Sequence, residues 1–258
     1  MKSDPVVSVV RLAGAIGTGG RGALTDQSTA PIIEKAFRRG KPAAVALVIN
    51  SPGGSPVQSS LIASRIRRLA DEKNVPVYAF VEDVAASGGY WLASAADEIW
   101  ADRASILGSI GVISAGFGAA EFLERHGLER RVYTAGESKS QLDPFKPENP
   151  EDVERLQGLL GDMHQIFKDH VSARRGARLM ADRDLFTGEF WLAERAIEYG
   201  LADGIGHVVP KMKEVFGKKV RLVPYGARKS LAQRFGAQFA RDALAEVEER
   251  ASFARFGL

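Results

Sequence analysis

In this sequence of 258 residues, the serine best placed for covalent chemistry is Ser87. It stands in Val84-Ala85-Ala86-Ser87-Gly88-Gly89-Tyr90, between an apolar run that reads as a strand and a stretch that reads as a helix. A serine at a strand-to-helix turn projects its hydroxyl, and small neighbours let a substrate backbone approach. The Gly88 N–H would lie at the helix start, where free donors and the positive end of the dipole suit an oxyanion. A second loop, Asn50-Ser51-Pro52-Gly53-Gly54-Ser55, follows another apolar run and can present backbone N–H groups with no side chain in the way. Gly54 and Gly88 would then be the two donors of an oxyanion hole. Each loop also has a plainer reading: Ser87 as the N-cap of its helix, and Pro52-Gly53 as an ordinary turn.

A nucleophilic serine needs a base. None of His126, His164, His170 and His207 belongs to an HExxH pair, which leaves a zinc hydrolase without support. His126, the nearest histidine downstream of Ser87, lies in the polar helical run EFLERHG and reads as solvated surface. Lysine is the other base used with serine. It must be neutral, so desolvation has to bring its pKa down by several units from about 10.4. Lys139 follows an expected short strand at 131–134, and Ser138 and Ser140 flank it with hydroxyls able to hold an uncharged amine. Glu137 or Asp143 close by would keep it charged, an exposed surface lysine is the plainer reading, and Lys146, beyond Pro144, competes for the role.

Composition narrows the alternatives. The absence of cysteine removes disulfides, thiol nucleophiles and cysteine-based metal sites. A net charge of +3, spread along the chain, does not point to nucleic acid. The 45% hydrophobic and 26% charged content is that of a globular chain. No apolar stretch approaches the roughly 20 residues that span a bilayer. The opening MKSDPVVSVVRLAG lacks the apolar core of a signal peptide. The expectation is a chain without a transmembrane segment, cytoplasmic or peripherally membrane-associated, that needs no cofactor or metal.

These loops must be positioned by an α/β framework. Strands are expected at 6–12, 43–49, 76–81, 98–101 and 131–134, and helices at 28–39, 57–71 and 88–96. Asn149-Pro150-Glu151 opens a long helix that ends near Gly176 and carries Leu156, Leu159, Leu160, Met163, Ile166, Phe167 and Val171 on one face. A further helix at 191–199 ends at Gly200, a left-handed C-cap. From about residue 228 the chain reads as an amphipathic helix lined by Leu231, Phe235, Phe239, Leu244 and Val247. The expected division is a domain at 1–217 and a helical extension at 218–258. The recurring strand–loop–helix order predicts right-handed crossovers, with function at the carboxyl ends of the strands.

Taken together, several segments resemble the S49 peptidases, the signal peptide peptidase A family. They are Asn50-Ser51-Pro52-Gly53-Gly54, Ala86-Ser87-Gly88-Gly89-Tyr90, Gly108-Ser109-Ile110-Gly111-Val112, and Gly136-Glu137-Ser138-Lys139 leading to Asp143-Pro144-Phe145. Phe186-Thr187-Gly188, with Ala193, Ala196, Gly200-Leu201 and Asp203 after it, completes the series. The resemblance implies a ClpP/crotonase-like fold of repeated β-β-α units. It implies Ser87 as nucleophile, Lys139 as general base, Ser109 orienting the lysine amine, and Gly54 and Gly88 as oxyanion donors. It further implies a homo-oligomeric ring, a lysine that can come from a neighbouring subunit, and substrates that are signal-peptide remnants or other unfolded apolar peptides. Many members of that family carry an N-terminal membrane anchor and some carry two tandem copies of the fold; the expectation here is no anchor and one copy. The amphipathic C-terminal stretch would pack on a neighbouring subunit or touch a membrane surface. Two other functions share the fold: a crotonase-like acyl-CoA hydratase or isomerase, and a ring scaffold without catalysis.

Overall fold

The computed structural model describes residues 4–17, 23–226 and 251–258. The chain divides into two compact units, Met1–Ile110 with Phe167–Leu258, and Gly111–Ile166.

The first unit is built on a sheet of mainly parallel strands. Its strands are β1 (Val6–Ala13), β2 (Ala44–Ser51), β3 (Val77–Ala86), β4 (Glu98–Ala101), β5 (Ile106–Gly108), β6 (Phe190–Leu192), β7 (Gly204–Ile205) and β8 (Arg221–Tyr225). The order is β6-β5-β3-β2-β1-β8, and β3 also pairs with β4, which in turn pairs with β7. Among the described residues only the β5–β6 pairing is antiparallel. β3 forks: Tyr78–Val81 run beside β4, and Val84–Ala86 beside β5. The fork coincides with a register shift against β2, where Ile49 faces Val81 but Ser51 faces Ala85. The two halves of β3 can therefore serve different neighbours.

β2 explains the apolar run of the sequence. Val45, Leu47 and Ile49 face one core, while Ala44 and Ala46 face another on the opposite side of the sheet. A strand buried on both faces needs apolar residues at every position. The larger core is closed by α1 (Asp26–Arg38), α2 (Pro56–Lys73) and α3 (Gly88–Ser94), through residues such as Ile33, Ile62, Ile66 and Leu92. The smaller takes Met212 and Phe216. Ser55 caps α2 by accepting from the Gln58 N–H, Pro56 fills its first turn, and Asn74 ends it at φ 51°. The chain thus leaves the Gly53-Gly54 loop at a fixed point.

The α/β expectation holds, and most elements lie within a few residues of where periodicity put them. Two differ. No strand forms at 131–134: in the second unit, the described helices are α4 (Ala120–Arg125) and the first part of α5 (Pro150–Arg175), and the intervening chain runs as turns and open loop. Val132 and Tyr133 have β-propensity, but no neighbouring strand offers them a ladder. The expected 191–199 helix starts later, as α6 (Ala193–Glu198), because Phe190–Leu192 pair with β5 instead. Past residue 217 the chain is not wholly helical either, since β8 extends the sheet beside β1. The helix α7 (Val208–Phe216) precedes it. Residues 227–250, which carry the expected amphipathic stripe, lie outside the described residues.

The end of α5 is tied to the sheet by a buried ion pair. Arg175, 2% exposed, donates to both Asp203 carboxylate oxygens at 2.8 and 3.0 Å and to the Gly200 carbonyl at 2.8 Å. Asp203 also accepts from the Ile99 N–H at 2.7 Å. Burial alone would raise the Asp203 pKa, but the Arg175 and Ile99 hydrogen bonds outweigh it and hold the pKa below the usual carboxylate range. Breaking a buried pair on one side leaves an uncompensated charge. Arg175→Met is expected to lower the unfolding free energy by about 3 kcal/mol in urea titrations. The contribution of Asp203 is complete above its ordinary value of about 3.9 and is lost as pH falls through its lower folded value. The deficit of Arg175→Met should therefore shrink in acid.

Candidate active site

The sheet order sets the site. Because β5, β3 and β2 are adjacent and parallel, their carboxyl ends bring Gly108-Ser109, Ser87 and the Ser51–Ser55 loop to one edge.

Ser87 joins β3 to α3 with φ 53° and ψ −122°, and its side chain makes no capping hydrogen bond. The helix-cap reading therefore fails: the hydroxyl is held out of the helix rather than spent on it. A left-handed φ in a residue with a Cβ is costly and persists where the surroundings over-determine it. Here the Ser87 N–H donates to the Gly108 carbonyl at 2.8 Å, and the Trp91 N–H donates to the Ser87 carbonyl at 3.0 Å. Ser87 is half-buried among the fully buried Ala85, Ala86, Gly88 and Gly89.

The glycine loop presses against this turn. A Cβ on Gly53 would lie 2.8 Å from the Ser87 Cβ and 2.7 Å from the Gly88 nitrogen, and one on Gly88 would lie 3.3 Å from the Gly54 nitrogen. The two expected donors thus flank the same serine. Gly54 is pinned from the other side by Ile16, whose N–H donates to the Gly53 carbonyl at 2.8 Å and whose carbonyl accepts from the Ser55 N–H at 2.8 Å. In such a parallel bridge the residue between the two bonded neighbours turns its own N–H away from the bridge partner, here away from Ile16. Among the described residues neither the Gly54 nor the Gly88 N–H has a protein acceptor. Such preorganised donors are suited to charge that develops on a substrate oxygen.

Ser109 also has a positive φ, 52°, and is 6% exposed at the end of β5. Its N–H donates to the Glu189 carbonyl at 2.6 Å, which ties it to the residue before β6. The first unit therefore gathers Ser87, Gly54, Gly88 and Ser109.

Lys139 belongs to the second unit, where it lies exposed in a turn with its N–H on the Gly136 carbonyl at 3.2 Å. Asp143, one of the carboxylates expected to trouble it, is engaged elsewhere. It accepts from the Phe145 N–H and from Arg130, each at 3.0 Å, and these bonds hold its pKa below the usual range. The competing Lys146 donates to the Ser140 hydroxyl at 3.3 Å. His126 is exposed at the end of α4 with Nδ1 2.8 Å from the Phe122 carbonyl, as expected of a surface residue. No group of three or more acidic or histidine side chains among the described residues could hold a metal.

Sequence reasoning missed Ile16 and Ser59. Ile16 sat in a glycine-rich stretch that carried no strand signal, yet its backbone anchors Gly54. Ser59 hid in the polar pattern of α2, but its hydroxyl would be 2.4 Å from a Gly88 Cβ, so it fills the space beneath the turn. Gly54→Ala would put a Cβ 1.8 Å from the Ile16 carbonyl oxygen at a φ of +142°. The loop must move, so Ser87-dependent hydrolysis should fall about 10²-fold or more, while far-UV circular dichroism stays that of the parent.

A protein of Brucella melitensis named Na(+)/H(+) antiporter NhaA is 48% identical over 98% of this chain, but the match takes in only 37% of that longer protein. The chain thus spans little more than a third of it. No described helix of this chain is long and apolar enough to cross a membrane. The probable protease SohB of Haemophilus influenzae is 35% identical over 75% of this chain and 54% of its own length. A putative protease of Synechocystis sp. is 30% identical over 78% of this chain and 69% of its own. A solved membrane-bound stomatin-specific protease, bound to a substrate peptide, aligns over 95% of this chain and 99% of its own, with a TM-score of 0.48 and 13% identity. The model of peptidase family S49 matches residues 70–218, a stretch that runs through Ser87, Ser109 and Lys139. By that match, and by relatives of which it covers most, this chain belongs to peptidase family S49.

Proposed function

We propose that this chain is a serine endopeptidase working through a Ser87/Lys139 pair. One observation carries the reading: an uncapped serine hydroxyl at a strained strand-to-helix turn, flanked by the Gly54 and Gly88 N–H groups. Ser87 Oγ attacks the scissile carbonyl carbon as its proton passes to the neutral Lys139 amine. The carbonyl oxygen gathers negative charge and accepts from the Gly54 and Gly88 N–H groups. Collapse of the tetrahedral adduct breaks the C–N bond, and the lysine ammonium returns the proton to the departing amine. Water then releases the acyl group from Ser87 by the same steps. Ser109 orients the lysine amine.

A lysine acts as a base near neutrality only when desolvated. Lys139 is exposed in its own unit, so the reading requires that it be covered in the working enzyme. Burial within a homo-oligomeric ring supplies that cover. The second unit exposes Ile113, Phe117, Phe122 and Tyr133, and α5 leaves Leu159 and Ile166 exposed at 56% and 57%. Apolar surface on this scale favours self-association, and it favours unfolded or apolar peptides, such as signal-peptide remnants, as substrates. The described residues form no membrane span, which leaves a peripheral membrane contact compatible with the reading.

Ser87→Ala and Lys139→Ala should each lower peptide hydrolysis about 10³-fold or more, with the double variant no worse than either, because the two groups serve one step. Retained activity in Lys139→Ala together with its loss in Lys146→Ala would reassign the base. The rate should rise with pH through an apparent pKa below the ordinary lysine value of about 10.4. Mixing inactive Ser87→Ala with inactive Lys139→Ala subunits tests the assembly: recovered activity means that the pair is completed between subunits, and a stable active monomer in sedimentation excludes the ring.

A further inference from the structure

We infer that the C-terminal segment 251–258 is a positioning element for the Ser87 turn, acting through Phe256. The segment packs on the face of the sheet opposite α1 and α2. Phe256, 7% exposed, forms a small core with Val84 and Ala86 of β3, and Ile106 of β5 and Phe253 pack against it. The Phe256 ring also stands edge-on to Phe190 of β6, with ring centroids 5.1 Å apart.

These contacts fall on β3 and β5, which carry Ser87 and Ser109, and on β6, which follows the residue that holds the Ser109 N–H. Ala86 is the residue before Ser87, and Ile106 begins the short strand that ends at Gly108 and passes into Ser109. Phe190 follows Glu189, whose carbonyl holds the Ser109 N–H. The Ser51–Gly54 loop braces the Ser87 turn from the substrate side, and nothing in that loop braces it from behind. The Phe256 ring fills that position. β5 and β6 are each three residues long, so their own ladders hold them weakly. Without the ring, Val84, Ala86 and Ile106 face a hole, and the β3–β5–β6 corner gains room to relax. The left-handed serines at 87 and 109 are strained conformations that need such outside support. The remainder of the sheet is packed by other elements and does not depend on this ring.

The inference rests on the S49 reading only for its effect on rate; its structural part stands without it. The test is amide hydrogen exchange on the full chain, comparing Phe256→Ala and Phe256→Leu with the parent. The expected result for Phe256→Ala is exchange at least tenfold faster at the Ser87 and Ser109 amides, with β1 and β2 amides unchanged and Phe256→Leu close to the parent. Unchanged exchange at Ser87 and Ser109, or an equal rise at every amide, overturns the proposal, the second because it marks a general loss of stability. A chain ending at residue 250 should show the same local change, reversed by adding a synthetic peptide of residues 251–258; failure of the peptide to restore protection also overturns it. Where the parent hydrolyses peptide, Phe256→Ala should lower kcat about 10- to 100-fold with KM nearly unchanged. A change confined to KM would place the segment with substrate binding and overturn the positioning role. If the parent proves inactive, the exchange result decides the inference alone.

Discussion

The site depends on one backbone constraint, the turn that holds Ser87 at φ 53° and ψ −122°. That conformation costs about 1–3 kcal/mol for a residue with a Cβ. It exists because neighbouring backbone leaves the chain nowhere else to go. Gly108 takes the Ser87 N–H, Gly53 abuts its Cβ, and α3 starts at the next residue. The return on that strain is a hydroxyl freed from helix capping and set beside two open N–H donors.

The glycines follow from the same constraint. Gly53, Gly54, Gly88 and Gly89 sit where two loops approach so closely that any Cβ would overlap backbone or a buried hydroxyl; at Gly89 it would lie 2.3 Å from the Ser51 carbonyl oxygen. Their role is close approach across the gap between β2 and β3. Tyr90, next in the chain, is fully buried and donates its hydroxyl to the Leu201 carbonyl at 2.8 Å, so α3 is anchored at its start to the segment that Arg175 and Asp203 secure. Ser87 therefore stands on a frame fixed at both ends.

The proposed base is held differently. Lys139 lies in a unit made of α4, the first part of α5 and open turns, with many exposed apolar side chains. Under the proposed reading, Ser87 on a rigid frame and Lys139 on this exposed unit would make catalysis sensitive to whatever covers Lys139.

Much of this was legible in the sequence. The apolar runs of β2 and β3, the capped start of α2 and the glycine pairs announced a parallel sheet with its loops at one edge, since burial on both faces and close backbone approach leave direct marks on residue type. Ser87, Gly54 and Gly88 could be named for the same reason. Other features left no such mark. β5, β6 and β7 are two or three residues long, too short for periodicity, and exist through their neighbours. The strand expected at 131–134 had the propensity but no partner. Whether Ser87 capped its helix or stood free was open in the sequence, because both roles use the same residue at the same position. Only the tertiary packing of Gly53 and Gly108 against the turn decided it, by forcing a backbone angle that carries the hydroxyl away from the helix.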